Sequence, residues 1–159
     1  MCEGVTSDFF CSQIRLIHIS DYTLEERLMF KPIVFANAIQ SMSFILHTAE
    51  RMNINLGDEN AEYNAYMFFQ LLEDQTSNAY TLVEDVKVTP QLANIIAILW
   101  RDSGVKEAYD YANENHLSDC ASYFLSNIRR LASSGYVPST QDILHTRVNT
   151  RGVVEASKI

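Results

Sequence analysis

Apolar residues recur at three- and four-residue steps between positions 28 and 52, which is the period of one face of an α-helix. A helix of this length must bury its apolar side against another element, so the stretch favours a fold of helices packed on helices. The predicted inward positions are Leu28, Phe35, Ala38, Ile39, Met42, Ile45, Leu46, Ala49 and Met52.

The ends of this long helix carry their own signals. Thr23 and Glu26 have the spacing of a capping box, in which a hydroxyl and a carboxylate satisfy free N–H groups at a helix start. Pro32 removes a backbone donor and predicts a bend, or a helix start just before it. Gly57 predicts the stop.

Shorter helices follow in the pattern. One covers residues 61–72, with Tyr66, Phe69 and Leu72 facing inward, and the polar residues 73–80 form a loop. The next begins with Thr89 as its N-cap and Pro90 at its first position. Its predicted buried face consists of Leu92, Ile95, Ile96, Leu99 and Trp100.

The second half of the chain continues in the same way. Residues 102–104 interrupt it, and a short helix covers residues 105–115. Ser118 and Asp119 cap a further helix, and a last turn starts near Ser139. The inward residues of the helix after Asp119 are Ala121, Phe124, Leu125, Ile128 and Leu131.

These elements together predict an all-α fold. No period-two strand of useful length precedes Arg147, so we expect a compact helical bundle with one long N-terminal helix and about five shorter ones. The bundle would cover residues 19–144, after an irregular N-terminus at residues 1–18. An extended C-terminal tail would cover residues 145–159.

Composition narrows the function. The 159 residues are 47% hydrophobic, enough to close a core, and carry a formal net charge of −8. This charge would repel nucleic acid and anionic lipid, so neither is a predicted partner. Cys2, Cys11 and Cys120 form no CxxC pair and indicate a reducing, cytoplasmic compartment. No transmembrane segment or secretory signal is predicted.

The usual catalytic and metal-binding patterns are missing from the sequence. The four histidines, at 18, 47, 116 and 145, have no metal-ligand spacing, so no zinc site is predicted. The paired acids at 25–26 and 58–59 are typical of solvated helix starts. No GxxxxGK[ST] phosphate loop occurs.

The C-terminal tail offers one possible site. Arg147 and Thr150 lie three residues apart, and their guanidinium and hydroxyl suit a phosphate and a hydrated cation respectively. The spacing alone does not distinguish such a site from an exposed tail without a role.

Several blocks of this sequence resemble one family. The segments "QIRLIH", "FANAIQSM", "LWRDSGVKEAYD", "LSDCASYFLSNIRRL" and "YVPSTQDILHTRVNTRGVVE" resemble, in this order, the alpha subunits of heterotrimeric G proteins, nearest the inhibitory and Go-like classes. The resemblance covers residues 13–155. It implies the inserted helical domain of those subunits, preceded by a remnant of the first helix of the Ras-like domain and followed by switch I.

The resemblance also implies roles for individual residues. Arg147 matches the arginine that acts on the γ-phosphoryl group, and Thr150 matches the magnesium-binding threonine. Asp119 and Cys120 match the point where the helical domain reaches the nucleotide from the other side. The full set of implied nucleotide contacts is Asp119, Cys120, Leu144, His145, Thr146, Arg147, Val148, Asn149 and Thr150.

The sequence departs from the family at several of these positions. His145 stands where an arginine is usual, Asn149 where a lysine is usual, and Arg151 where a small hydroxyl residue is usual. Cys120 stands where a serine is commoner, which predicts a weaker contact there. Arg147 and Thr150 are unaffected.

The larger departures concern whole motifs. "MCEGVTSDFFCS" stands in place of the phosphate loop, and the DxxGQ, NKxD and TCAT motifs do not occur. By resemblance the family's cofactors are GTP or GDP and Mg²⁺. Because nucleotide affinity depends on the missing loop, we expect this chain alone to bind none of them and to hydrolyse no GTP. The chain would then be a truncated alpha subunit.

Three hypotheses follow. The first is a GTP-dependent switch in receptor signalling at the inner face of the plasma membrane, with a beta-gamma dimer, a G protein-coupled receptor and an effector as partners. The second is an isolated helical domain that acts as a non-catalytic interaction module without nucleotide. The third is a bundle followed by an exposed tail without a function.

Overall fold

The computed structural model describes residues 22–76, 86–114, 117 and 120–146. Within these ranges all regular secondary structure is helical and no strand occurs, which confirms the predicted all-α class with a long N-terminal helix. The helices are α1 (Leu24–Met29), α2 (Lys31–Arg51), α3 (Glu59–Thr76), α4 (Pro90–Leu99), α5 (Ser103–Glu114), α6 (Ala121–Ser126), α7 (Ile128–Leu131) and α8 (Thr140–His145).

The start of the bundle follows the sequence signals. The Thr23 hydroxyl accepts from the Glu26 N–H at 3.2 Å, and the Glu26 carboxylate accepts from the Thr23 N–H at 2.8 Å. Phe30 separates α1 from α2, and Pro32 lies in the first turn of α2. The predicted capping box is therefore confirmed, and so is a new helix start just before Pro32.

Helix α2 is the centre of the bundle and packs against α5 and α6. Most of its predicted inward residues are buried, but Leu28 and Met52 are 41% and 39% exposed, so their prediction was wrong. Leu28 belongs to the separate helix α1, and Met52 lies past the last turn of α2. The predicted stop at Gly57 was also wrong, because α2 ends at Arg51 and Asn53 turns the chain with a φ of 53°.

Helix α3 buries a different face from the predicted one. Tyr66, predicted to face inward, is 60% exposed, whereas Phe68 is fully buried together with Ala61 and Asn64. Phe69 and Leu72 lie at the edge of the core and are partly buried. The helix also continues to Thr76, beyond its predicted end.

The later helices agree better with the prediction. The Thr89 hydroxyl accepts from the Leu92 N–H at 3.2 Å, which confirms the predicted cap of α4. The apolar residues predicted for α4 and for α6 with α7 are all buried, although Asn127 divides the latter stretch into two helices. Gly104, predicted as part of a break, lies inside α5, whose start is capped by Asp102.

The stretch Leu24–Arg51, α1 and α2 together, is long and apolar enough to span a membrane by length and composition alone. Nearly half of its most apolar window is buried within the bundle. A core helix passes the same test, so the stretch is only weak support for a membrane span.

Candidate functional site

The last described helix, α8, begins with a second capping box. The Ser139 hydroxyl accepts from the Asp142 N–H at 3.2 Å, and the Asp142 carboxylate accepts from the Ser139 N–H at 2.9 Å. Ser139 thus fixes the start of α8 as the sequence predicted. Unlike the first capping box, which is exposed, this one has a fully buried carboxylate.

Asp142 is the centre of a hydrogen-bonded group that we call the Asp142 cluster: Tyr123, Arg130, Tyr136, Ser139 and Asp142. The Arg130 guanidinium donates to both carboxylate oxygens, at 2.7 and 2.9 Å. The Tyr123 hydroxyl donates to one carboxylate oxygen and the Tyr136 hydroxyl donates to the other, each at 2.8 Å. The cluster therefore joins α6, α7 and the start of α8.

The electrostatics of the cluster fix its charge state. Burial alone would raise the pKa of Asp142, but the hydrogen bonds from Arg130, the Ser139 N–H and the two tyrosines outweigh it and hold that pKa well below its usual range. Burial and the bond to Asp142 raise the pKa of Tyr136. The cluster therefore keeps one carboxylate and neutral phenols at neutral pH, which suits a structural anchor rather than proton transfer.

A second arginine ties α1 to the same place. Arg27 donates from Nη1 to the carbonyl oxygen of Pro138 and from Nη2 to the hydroxyl of Thr140, both at 3.3 Å. Because more than a hundred residues separate these partners, the contact closes the bundle between its first and last described helices.

The other end of α8 lies against α6. The His145 ring stacks on Tyr123, with ring centroids 3.8 Å apart and planes within 3°, and it meets Phe124 edge-on at 6.4 Å. The Phe124 N–H donates to the carbonyl oxygen of Cys120 at 3.1 Å, so Cys120 lies one helical turn away. The structure thus places His145, at the end of α8, against the part of α6 that lies one helical turn from Cys120.

The predicted contact residues divide into two groups. Among the described ones, Cys120 precedes α6, Leu144 and His145 end α8, and Thr146 is its C-cap. His145 is therefore helical, although the sequence placed it in the extended tail. The remaining predicted residues lie outside the described ranges: Asp119, Arg147, Val148, Asn149 and Thr150.

The described residues of this site do not form a cradle for phosphate or Mg²⁺ by themselves. The Thr146 hydroxyl already donates to the carbonyl oxygen of Ile143 at 2.6 Å, and Asp142 is occupied by its own donors. Across the described ranges, no group of three or more His, Cys, Asp or Glu side chains is placed to hold a metal ion. The roles that the resemblance implies for Asp119, Arg147 and Thr150 concern residues outside the described ranges.

The sequence analysis did not identify the Asp142 cluster. One signal was available, because Ser139 and Asp142 have the spacing of a capping box. The partners Tyr123, Arg130 and Tyr136 carry no such signal, since nothing local indicates that they meet one carboxylate.

The chain matches the family described as "G-protein alpha subunit" over residues 8–158. Because this match covers nearly the whole chain, the protein belongs to the G-protein alpha subunit family. The resemblance seen in the sequence is thereby confirmed at the level of the family.

Several similar fungal proteins are named as alpha subunits of guanine nucleotide-binding proteins. The chain is 36% identical to a guanine nucleotide-binding protein subunit alpha of Cochliobolus heterostrophus, and 37% identical to the alpha-1 subunit of Neurospora crassa and to the subunit alpha of Pyricularia oryzae. Each match covers 92% of this chain and 39% of the relative. The chain thus spans about two fifths of the length of these relatives.

Proposed function

We propose that residues 22–146 act as the helical domain of a G-protein alpha subunit and cover one side of a bound guanine nucleotide. The observation that supports this is the contact between His145 and Tyr123, which puts the end of α8 beside the start of α6. Those are the two segments that would approach the nucleotide. The inhibitory or Go-like class within the family stays a prediction.

The roles of the tail residues belong to the same proposal. When GTP and Mg²⁺ are bound, they supply the phosphoryl group and the cation that neutralises its charge. Arg147 would donate hydrogen bonds to the phosphoryl oxygens, and Thr150 would offer its hydroxyl to the cation. Arginines in this role, including those of G-alpha subunits, are known to raise the rate of hydrolysis by ~10³–10⁵.

The described helices would contribute by position. The Asp142 cluster holds the start of α8 on α6 and α7, and the His145 stack holds its end, so the chain leaves α8 from a fixed place. Arg147 directly follows Thr146 in the sequence, so its backbone would start from this fixed position.

A chimera tests the proposal. Residues 13–155 of the chain replace the matching part of the Neurospora crassa alpha-1 subunit, so residues 1–12, which stand in place of the phosphate loop, are left out. GDP release and single-turnover GTP hydrolysis are then measured. We expect nucleotide binding, and a loss of hydrolysis of ~10³-fold or more for Arg147→Ala. Arg151→Ala, a matched loss of charge four residues away, should change the rate only slightly. Equal effects of the two variants would contradict the role of Arg147.

A second function is favoured by the completeness of the bundle. Among the described residues, every buried side-chain nitrogen and oxygen atom has a hydrogen-bond partner, and one continuous core joins α2 to helices α3 to α7. The chain alone would then be a folded interaction module without nucleotide. We expect cooperative unfolding and the same melting temperature with and without GDP and Mg²⁺, since a ligand that binds the native state must raise it.

The partners and location extend the first proposal. As an alpha subunit, the protein would work in the cytoplasm at the inner face of the plasma membrane, with a beta-gamma dimer, a G protein-coupled receptor and an effector. Co-purification of the chimera with a beta-gamma dimer, compared between its GDP-bound and GTP-analogue-bound forms, tests this.

A further inference from the structure

An open groove of about 510 Å³ lies at the end of the bundle where α2 begins. Its walls are the start of α2, the segment before α4, and the end of α7. The apolar lining includes Leu28, Phe35, Val88 and Leu131, and two lysines, Lys31 and Lys87, stand among these residues. We call this feature the basic groove.

The two lysines are carried by ordered parts of the bundle. The Lys87 N–H donates to the Gln75 side-chain oxygen at 3.0 Å, and the Lys87 carbonyl oxygen accepts from the Thr89 N–H at 3.1 Å. The Lys31 ammonium lies 5.8 Å from the ring centroids of both Phe35 and Tyr136. Contacts within the fold thus hold the Lys87 backbone and the Lys31 ammonium at the groove.

A shallower depression of about 390 Å³ continues the basic groove between α4 and α7. The two share Ala132 and Ser133, and the second adds the exposed side chain of Arg129. Among the described residues, neither is lined by an aspartate or a glutamate. In a chain with a net charge of −8, this elongated surface therefore has the opposite sign.

Helix α1, which contributes Leu28 to the groove, also exposes other apolar side chains. Leu28 lines the groove and is 41% exposed, and its neighbours on α1, Leu24 and Met29, are more exposed still. At the groove, exposed Leu28 lies with Lys31 and Lys87 along an open surface rather than in an enclosed cavity. Such a surface fits a peptide that carries apolar and acidic side chains better than a small molecule, which pockets usually bury almost completely.

We propose that the basic groove is a docking site for an acidic, apolar peptide segment of a partner protein. Acidic side chains of the peptide pair with Lys31, Lys87 and Arg129, and its apolar side chains lie on the exposed Leu28 and Pro32. This inference does not depend on nucleotide binding, because no residue of the groove belongs to the predicted nucleotide contacts.

The test uses the full chain and a fluorescein-labelled helical peptide of glutamate with leucine at every third or fourth position. Binding is followed by fluorescence anisotropy. We expect Lys87→Glu combined with Arg129→Glu to weaken binding at least tenfold. The control Arg101→Glu with Arg51→Glu makes the same change of charge at two exposed arginines outside the groove, and should weaken binding only slightly.

Three results would overturn the proposal. One is an equal loss in the Lys87/Arg129 and Arg51/Arg101 variants, which would mean a general effect of charge. Another is equal binding of a peptide with lysine in place of glutamate. A third is a failure of the peptide to bind while vesicles containing phosphatidylserine bind through the same residues. Lys87→Gln, which only removes a charge, gives a smaller loss and serves if the double reversal does not fold.

Discussion

Arg130 and Asp142 form a two-point ion pair, with guanidinium nitrogens 2.7 and 2.9 Å from the two carboxylate oxygens. The Asp142 side chain is fully buried, whereas the Arg130 side chain is 42% exposed. The arginine therefore keeps part of its hydration while it satisfies the buried charge. Tyr123 and Tyr136 each donate one further hydrogen bond to the carboxylate. The Arg130–Asp142 pair therefore acts as the anchor of α8.

Removing this charge should destabilise the bundle. Asp142→Asn removes the negative charge and leaves one Arg130 N–H and one tyrosine hydroxyl without their acceptors. We expect the free energy of unfolding to fall by about 2–3 kcal/mol. Urea unfolding followed by circular dichroism measures the change. Glu107→Gln, at an exposed acid on α5, should stay within about 0.5 kcal/mol of the wild type. Similar losses in both variants would contradict the anchor.

The same carboxylate predicts a dependence on pH. Its pKa in the folded protein lies below the value of about 3.9 expected in the unfolded chain, so near that pH the unfolded state binds more protons. The stabilisation by Asp142 is therefore complete above about pH 5 and is lost as the pH falls below about 4.

Urea midpoints of the wild type and of Asp142→Asn, measured from neutral pH down to about pH 3, test this linkage. We expect the difference between the two proteins to narrow at the acid end, because the wild type loses the contribution that the variant never had. A difference that stays constant over the whole range would show that Asp142 does not titrate in this way.

Helix α3 carries one buried and one exposed aromatic residue, so replacing each by alanine shows how much the burial of the ring contributes to stability. Phe68→Ala should lower the free energy of unfolding by about 3–5 kcal/mol, because it leaves a cavity in the core. Tyr66→Ala should cost less than about 1 kcal/mol, since the ring is largely exposed and alanine favours helix. Thermal unfolding of both variants compares them. The reverse order would mean that α3 buries the face first predicted from the sequence.

Two glycines should respond differently to alanine. A Cβ on Gly104 would overlap the carbonyl oxygen of Asn55 and lie 2.8 Å from Cα of Leu56, so we expect a loss of about 2 kcal/mol or more despite the better helix propensity of alanine. Gly135 has a φ of +74° and free space around it, so its alanine variant should cost only about 1 kcal/mol of backbone strain. Chemical denaturation distinguishes the two, and a neutral Gly104→Ala would contradict the close contact of α5 with residues 55–56.

The sequence predicted the local features well. The caps at Thr23 and Thr89 formed as expected, because a cap depends on residues only three apart, and the last helix starts at the predicted place near Ser139. The sequence prediction was wrong where the burial of a residue depends on other helices that pack against it. Tyr66 and Phe68 are both aromatic and two residues apart, and only the position of α4 and the core decides which of them is buried.

By itself, then, the sequence determined the helical class, most helix starts and the apolar face of α2, because periodicity and capping are short-range properties of the chain. Tertiary structure alone decided that Asp142 is buried, that Arg130, Tyr123 and Tyr136 meet its carboxylate, and that His145 lies on Tyr123 beside the start of α6. Those contacts join separate helices, so they exist only after the bundle has packed.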